Sequence, residues 1–127
     1  MVKWLVAGVL VLALSGCAIA TTPAETVDEL RARFVAAGGE CAEATPFDLE
    51  PAAESLQCSS GAMLHTVASA ADRSAIVDYY LESDSVRDRT HIMLGAERWI
   101  IVDEIATIVV VMPKLGGIIH GRNGANP

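Results

Sequence analysis

His91-Ile92-Met93-Leu94-Gly95-Ala96-Glu97-Arg98-Trp99-Ile100-Ile101-Val102 decides the fold. Two apolar runs, His91 to Leu94 and Arg98 to Val102, flank the short polar turn Gly95-Ala96-Glu97. Short apolar runs on either side of a glycine-containing turn read as a β-hairpin. Upstream, Ser55 to Cys58 and Ala62 to Ala68 read as two more short strands around Ser59-Ser60-Gly61. With period-two alternation, Met63, His65 and Val67 point one way and Leu64 and Thr66 the other.

Helical signals surround these strands. Thr22-Pro23-Ala24-Glu25 has the form of a helix start, with Thr22 as cap, Pro23 at the first helical position and Glu25 where a capping-box carboxylate returns. Val27, Leu30, Phe34 and Ala37 then form one apolar stripe that stops at Gly38-Gly39. Ser69 with Asp72 resembles a second capping box and opens a helix through about Glu82, offering Ala75, Ile76, Tyr79 and Tyr80 to the core. Ser83 to Arg89 is polar and charged and reads as a loop. Ile105 to Met112 is rich in β-branched residues, which favours a strand. Yet Ile105, Ile108, Met112 and Leu115 share one helical face, and Asp103-Glu104 suit a helix N-terminus. The helix is favoured despite Pro113, ending at Gly116-Gly117; the strand stays open. The order helix, strands, helix, strands, helix predicts an α+β fold: one small antiparallel sheet packed with about three helices.

The N-terminus carries a different message. Lys3 supplies a positive charge, and Trp4 to Leu14 is an uncharged apolar run of 11 residues. As a helix it reaches roughly 16 Å against the ~30 Å of a bilayer core, too short to span and right for a signal peptide. Small residues lead directly into a cysteine in Leu14-Ser15-Gly16-Cys17, and this stretch resembles the lipobox of bacterial lipoproteins. The resemblance covers the first 17 residues. It implies diacylglyceryl transfer to the Cys17 thiol, removal of residues 1–16, and a cell-membrane, lipid-anchored protein on the extracytoplasmic face. The expected organisation is then a signal peptide over 1–16, a lipidated N-terminus and short tether over 17–21, a single domain over 22–120, and a flexible tail over 121–127. Ala18 to Thr21 reach only about 14 Å, so the domain is held close to the bilayer.

Charge and cysteines agree with export. The chain of 127 residues has a formal charge of −7, and losing Lys3 with the signal peptide takes it to −8. Phosphate neutralisation needs Lys and Arg clusters, so nucleic acid is a poor partner. Anionic headgroups repel such a domain, which leaves the acylated Cys17 to hold it to the lipid bilayer. With Cys17 consumed, Cys41 and Cys58 remain, and they allow one pairing in an oxidising compartment. The segment between them contains Pro46 and Pro51, shows no clear period and gains most from a staple.

Reaction chemistry is hard to find. His65, His91 and His120 have no second histidine or carboxylate at metal-ligand spacing, so no metal and no cofactor are expected. His65 and His91 fall in strands, as sheet-edge or satisfied core residues, and His120 is expected to be exposed. Asp103 and Glu104 are adjacent carboxylates, but neighbours on a helix diverge by about 100° and do not converge on one bond. Ser59-Ser60-Gly61 lacks the flanks of a nucleophile elbow. Trp99 is expected to anchor the core. No catalytic residues are assigned. The leading expectation is a non-enzymatic partner-binding or envelope accessory module with a membrane-proximal protein partner. An envelope hydrolase using His65 or His91 as base, and a small-ligand or glycan binder using Trp99, are the alternatives. Gly95-Ala96-Glu97-Arg98-Trp99 followed by Leu115-Gly116-Gly117 is also similar to a pattern in small actinobacterial lipoproteins, which implies a fold pattern and no activity.

Overall fold

The computed structural model describes residues 26–121. Helix α1 spans Val27–Ala36, strand β1 Ala44–Phe47, β2 Glu54–Cys58 and β3 Met63–Thr66. Helix α2 spans Ala70–Leu81 and the single turn α3 Asp84–Arg87. Strands β4 (His91–Gly95) and β5 (Trp99–Glu104), helix α4 (Ile105–Leu115) and strand β6 (Ile118–His120) complete the described chain. The fold is α+β, as expected. Six strands form one antiparallel sheet in the order β1-β2-β3-β5-β4-β6.

The sheet is buried on both faces, so β5 reads as a continuous apolar run rather than a strict alternation. On one face Leu56, Leu64, Leu94, Trp99 and Ile101 pack against Leu30 and Phe34 of α1 and Ile108 and Val111 of α4. On the other, Met93, Ile100 and Val102 pack against Ile76 and Tyr80 of α2 and Val86 of α3. Trp99 is a core anchor, 2% exposed.

Local rules account for most boundaries. Helix α1 is capped by Thr26: its side chain accepts from the Glu29 N–H, and the Glu29 carboxylate accepts from the Thr26 N–H at 3.2 Å. The cap is thus Thr26, not Thr22, because the chain holds two successive Thr-x-x-Glu motifs; Thr22 to Glu25 lie outside the described residues. Glu54 of β2 accepts from the Val27 N–H at 2.8 Å and pins this end of α1 to the sheet. At the other end a side chain at Gly39 would collide with the Phe34 ring, so only glycine fits here.

Several expectations are corrected. The loop after Cys41 contains strand β1, with Pro46 opposite Leu56; proline is tolerated because β1 is an edge strand. Asp84–Arg87 makes a helical turn within the segment read as a loop, and its Val86 is buried. On α2, Ile76 and Tyr80 are buried, but Ala75 and Tyr79 face solvent, since the buried stripe is narrower than the apolar residues allow. The segment 105–115 is the favoured helix, with Ile108 and Val111 fully buried, but Ile105 is turned out of the expected buried face. Asp103-Glu104 close β5, and the Glu104 cap of α4 makes no side-chain hydrogen bond. Finally, Ile118–His120 adds a sixth strand to β4, so His120 is half-buried.

Cys41 and Cys58 form a disulfide, Cα–Cα 4.9 Å. It ties the end of the α1 turn to β2, and the Arg31 guanidinium donates to the Cys41 and Ala42 carbonyls over the same loop. Closing a loop of this length stabilises a fold by about 3 kcal/mol in the chain-entropy model. Replacing both cysteines by serine should lower the urea-unfolding free energy by roughly that amount. An unchanged midpoint would mean that Arg31 and the β1–β2 ladder already restrain the loop.

Candidate functional site

The register of the sheet assembles a polar cluster that no single segment announces. Ser55 on β2 stands directly opposite His65 on β3. Tyr80, on the buried stripe of α2, descends onto the same face. Ser55 Oγ lies 2.7 Å from His65 Nδ1, and Tyr80 Oη lies 2.7 Å from His65 Nε2. The Tyr80 hydroxyl also lies 3.1 Å from Met63 Sδ. Whichever ring nitrogen carries the single proton of the neutral imidazole, one neighbouring hydroxyl accepts from it and the other donates to the bare nitrogen. Each group is then satisfied with the imidazole neutral. Phe47 of β1 packs edge-on against the ring, centroids 5.6 Å apart, and Tyr79 sits edge-on against Tyr80.

Burial sets the protonation. His65 is fully buried, and this desolvation pulls its pKa from 6.5 to about 4. Burial, with a smaller contribution from Tyr79, raises Tyr80 well above the usual phenol range. A serine beside a histidine is the raw material of acyl-transfer chemistry, yet here Ser55 is 4% exposed and the ring not at all. In this conformation no substrate atom can reach either of them. A general base must contact the proton it takes, so the cluster holds the core together rather than presenting a base.

The other residues singled out in the sequence are scattered. His91 opens β4 and contacts Thr90 Oγ1 at 3.0 Å. The His120 ring lies across Gly95, and burial first, then Arg73, lowers its pKa. Trp99 is sealed in the core, so it offers no exposed aromatic face to a glycan. Gly117 packs 2.8 Å (as a hypothetical Cβ) from the Gly95 carbonyl and beside Trp99; the two glycine motifs of the sequence therefore meet in space. Asp103 is buried, and its carboxylate accepts from the Glu104 N–H at 2.8 Å. Burial raises its pKa, Glu104 and Glu40 add to the rise, and the Glu104 N–H and His91 oppose it.

Two clefts lie where α1 and α4 run side by side. One, about 310 Å³, is lined by Gly38, Glu40, Asp103, Glu104 and Val110 at the N-terminal end of α4. The other, about 250 Å³, is lined by Arg33, Ala36, Lys114 and Leu115 at its C-terminal end. Sequence reasoning missed both, since their walls come from segments some 70 residues apart. Among the described residues no group of three or more His, Cys, Asp or Glu side chains could hold a metal ion, and no helix is long and apolar enough to cross a membrane. Compared with protein-family models, curated proteins and solved structures, the chain matches none.

The His65 environment has a measurable consequence. The unfolded chain takes up a proton at this ring below about pH 6.5, whereas the folded state resists it until about 4. Stability from neutral burial is present above the unfolded value and is lost as pH falls through this window, by up to roughly 3 kcal/mol. Urea midpoints should therefore fall from pH 7 to pH 4.5, and His65→Gln should flatten that fall. Parallel losses in wild type and variant would show that the ring is not held neutral.

Proposed function

We propose that the protein is a membrane-anchored lipoprotein whose small acidic domain works outside the cytoplasm as a non-enzymatic partner-binding module. The observation that carries this reading is a pairing. A lipobox-like Leu14-Ser15-Gly16-Cys17 precedes a domain stapled by Cys41–Cys58, and such staples persist in oxidising compartments. The sealed histidine cluster supports binding over catalysis, because it leaves the outer helical surfaces as the groups within a partner's reach.

Eight residues, 18 to 25, separate Cys17 from the Thr26 cap. Even fully extended they reach at most about 28 Å, so an anchored domain works beside the bilayer. Its partner is a membrane-proximal protein or another lipoprotein. The hydrolase alternative draws on the Ser55–His65 contact and requires β1 or α2 to move aside. It is the weaker reading, since both side chains are spoken for in the core.

Cys17→Ser tests the anchor. The wild-type protein should partition into the detergent phase and carry acyl mass on an N-terminal Cys17, and the variant should do neither. Wild-type protein that stays in the aqueous phase without acyl mass would overturn the reading.

A further inference from the structure

The outer face of α4 is the least explained surface of the domain. An amphipathic helix on a sheet turns charge outward, but α4 turns out Ile105, Ala106, Val109, Val110 and Pro113. Val109 and Val110 are each more than half exposed. A helix that is apolar all round belongs in an interior, so this face calls for a cover.

Charge at the two ends of the helix identifies the cover. The cleft at the N-terminal end holds Glu40, Asp103 and Glu104 and has no basic residue in its lining. The cleft at the C-terminal end holds Arg33 and Lys114 and has no acid in its lining. Arg33 Nη1 finds no hydrogen-bond acceptor among the described residues. A bilayer is a poor fit: the face has no aromatic belt, and its acidic end would press against lipid phosphates. A second copy turned end for end fits both ends at once. Val109 stands five residues from Glu104 and five from Lys114. An antiparallel pairing with Val109 on the two-fold axis sets each Ile105 against the other copy's Pro113 and brings the acidic end of each helix, with Glu104, to the basic end of the other, with Lys114. Such a contact is isologous and closes as a dimer.

We infer that α4 is the core of a symmetric homodimer interface, its apolar stripe packed on the same stripe of a second, antiparallel copy, with the acidic cleft of each facing the basic cleft of the other. The stripe of one ~16 Å helix is small beside the ~800 Å² per partner of a standard interface. Pairing is therefore weak in dilute solution and favoured where copies are confined. In this respect it rests on the lipid-anchor reading and narrows "another lipoprotein" to a second copy of this chain.

Site-specific disulfide trapping tests it. Two differently tagged full-length copies are co-expressed, one with Ile105→Cys and the other with Pro113→Cys, and intact cells are mildly oxidised. A mixed-tag dimer should form at least fivefold more than from two Ile105→Cys copies, and Val109→Cys alone should yield a homodimer. Lys114→Glu should cut the Val109→Cys dimer several-fold, and adding Glu104→Lys to the same chain should restore it. Equal trapping by all pairs, capture of Val109→Cys by a different protein only, or no charge-swap rescue would overturn the proposal. The altered positions are exposed, and an intact Cys41–Cys58 bridge in each variant checks the fold. Acyl mass on Cys17, measured in the same samples, separates failure of the anchor from failure of pairing.

Discussion

Everything in this domain is hung on strand β5. Trp99 and Ile101 point into one apolar layer and Ile100 and Val102 into the other, so four consecutive residues join both halves of the core. β5 also has β3 on one side and β4 on the other, which fixes the register of both neighbours. Slipping it by one residue would exchange the two layers and place Trp99 where Ile100 and Val102 now sit. Each buried aliphatic side chain is worth about 1.5–3 kcal/mol, so that exchange is strongly resisted. The position of His65 follows from this constraint, because it lies directly across from Ile100.

The elements that pack by local rules were legible in the sequence. The 91–102 hairpin is marked by two apolar runs around a glycine-containing turn, and the Val27–Ala37 stripe and the Ser69-capped helix by helical periodicity. The Cys41–Cys58 pairing was legible once Cys17 was set aside as the expected lipid acceptor. What stayed hidden depends on neighbours. β1 and β6 are edge strands, and each is defined by the ladder it joins rather than by its own pattern. Pro46 disguises the first, and the Gly116-Gly117 turn masks the second. Tyr79 and Tyr80 are chemically alike, and only the packing of α2 on the sheet decides which is buried.

The polar cluster illustrates the same limit. His65 was readable as a satisfied core histidine because it sits in an alternating strand without metal-ligand neighbours. Its partners were not readable. Ser55 reaches it through the β2–β3 register, and Tyr80 through a helix 15 residues away. Once assembled, the cluster has its donors and acceptors paired, so it specifies how β2, β3 and α2 meet. The clefts at the ends of α4 were equally hidden, since they exist only where α1 lies against α4. The exposed face of α4 is apolar, while Ser55, His65 and Tyr80 are buried under α2 on the other face of the sheet.

The proposed non-enzymatic reading depends on the Ser55–His65 pair being sealed from solvent, and the His65 imidazole reports on that most directly. Nitrogen-resolved NMR of the ring at pH 6 should find a neutral imidazole with one protonated and one bare nitrogen, in slow exchange with water. Protonation should appear only near pH 4, in line with the effect of burial. A ring that titrates near 6.5 with fast-exchanging protons would contradict this. It would mean that solvent reaches the Ser55–His65 pair and that the interior is open to chemistry.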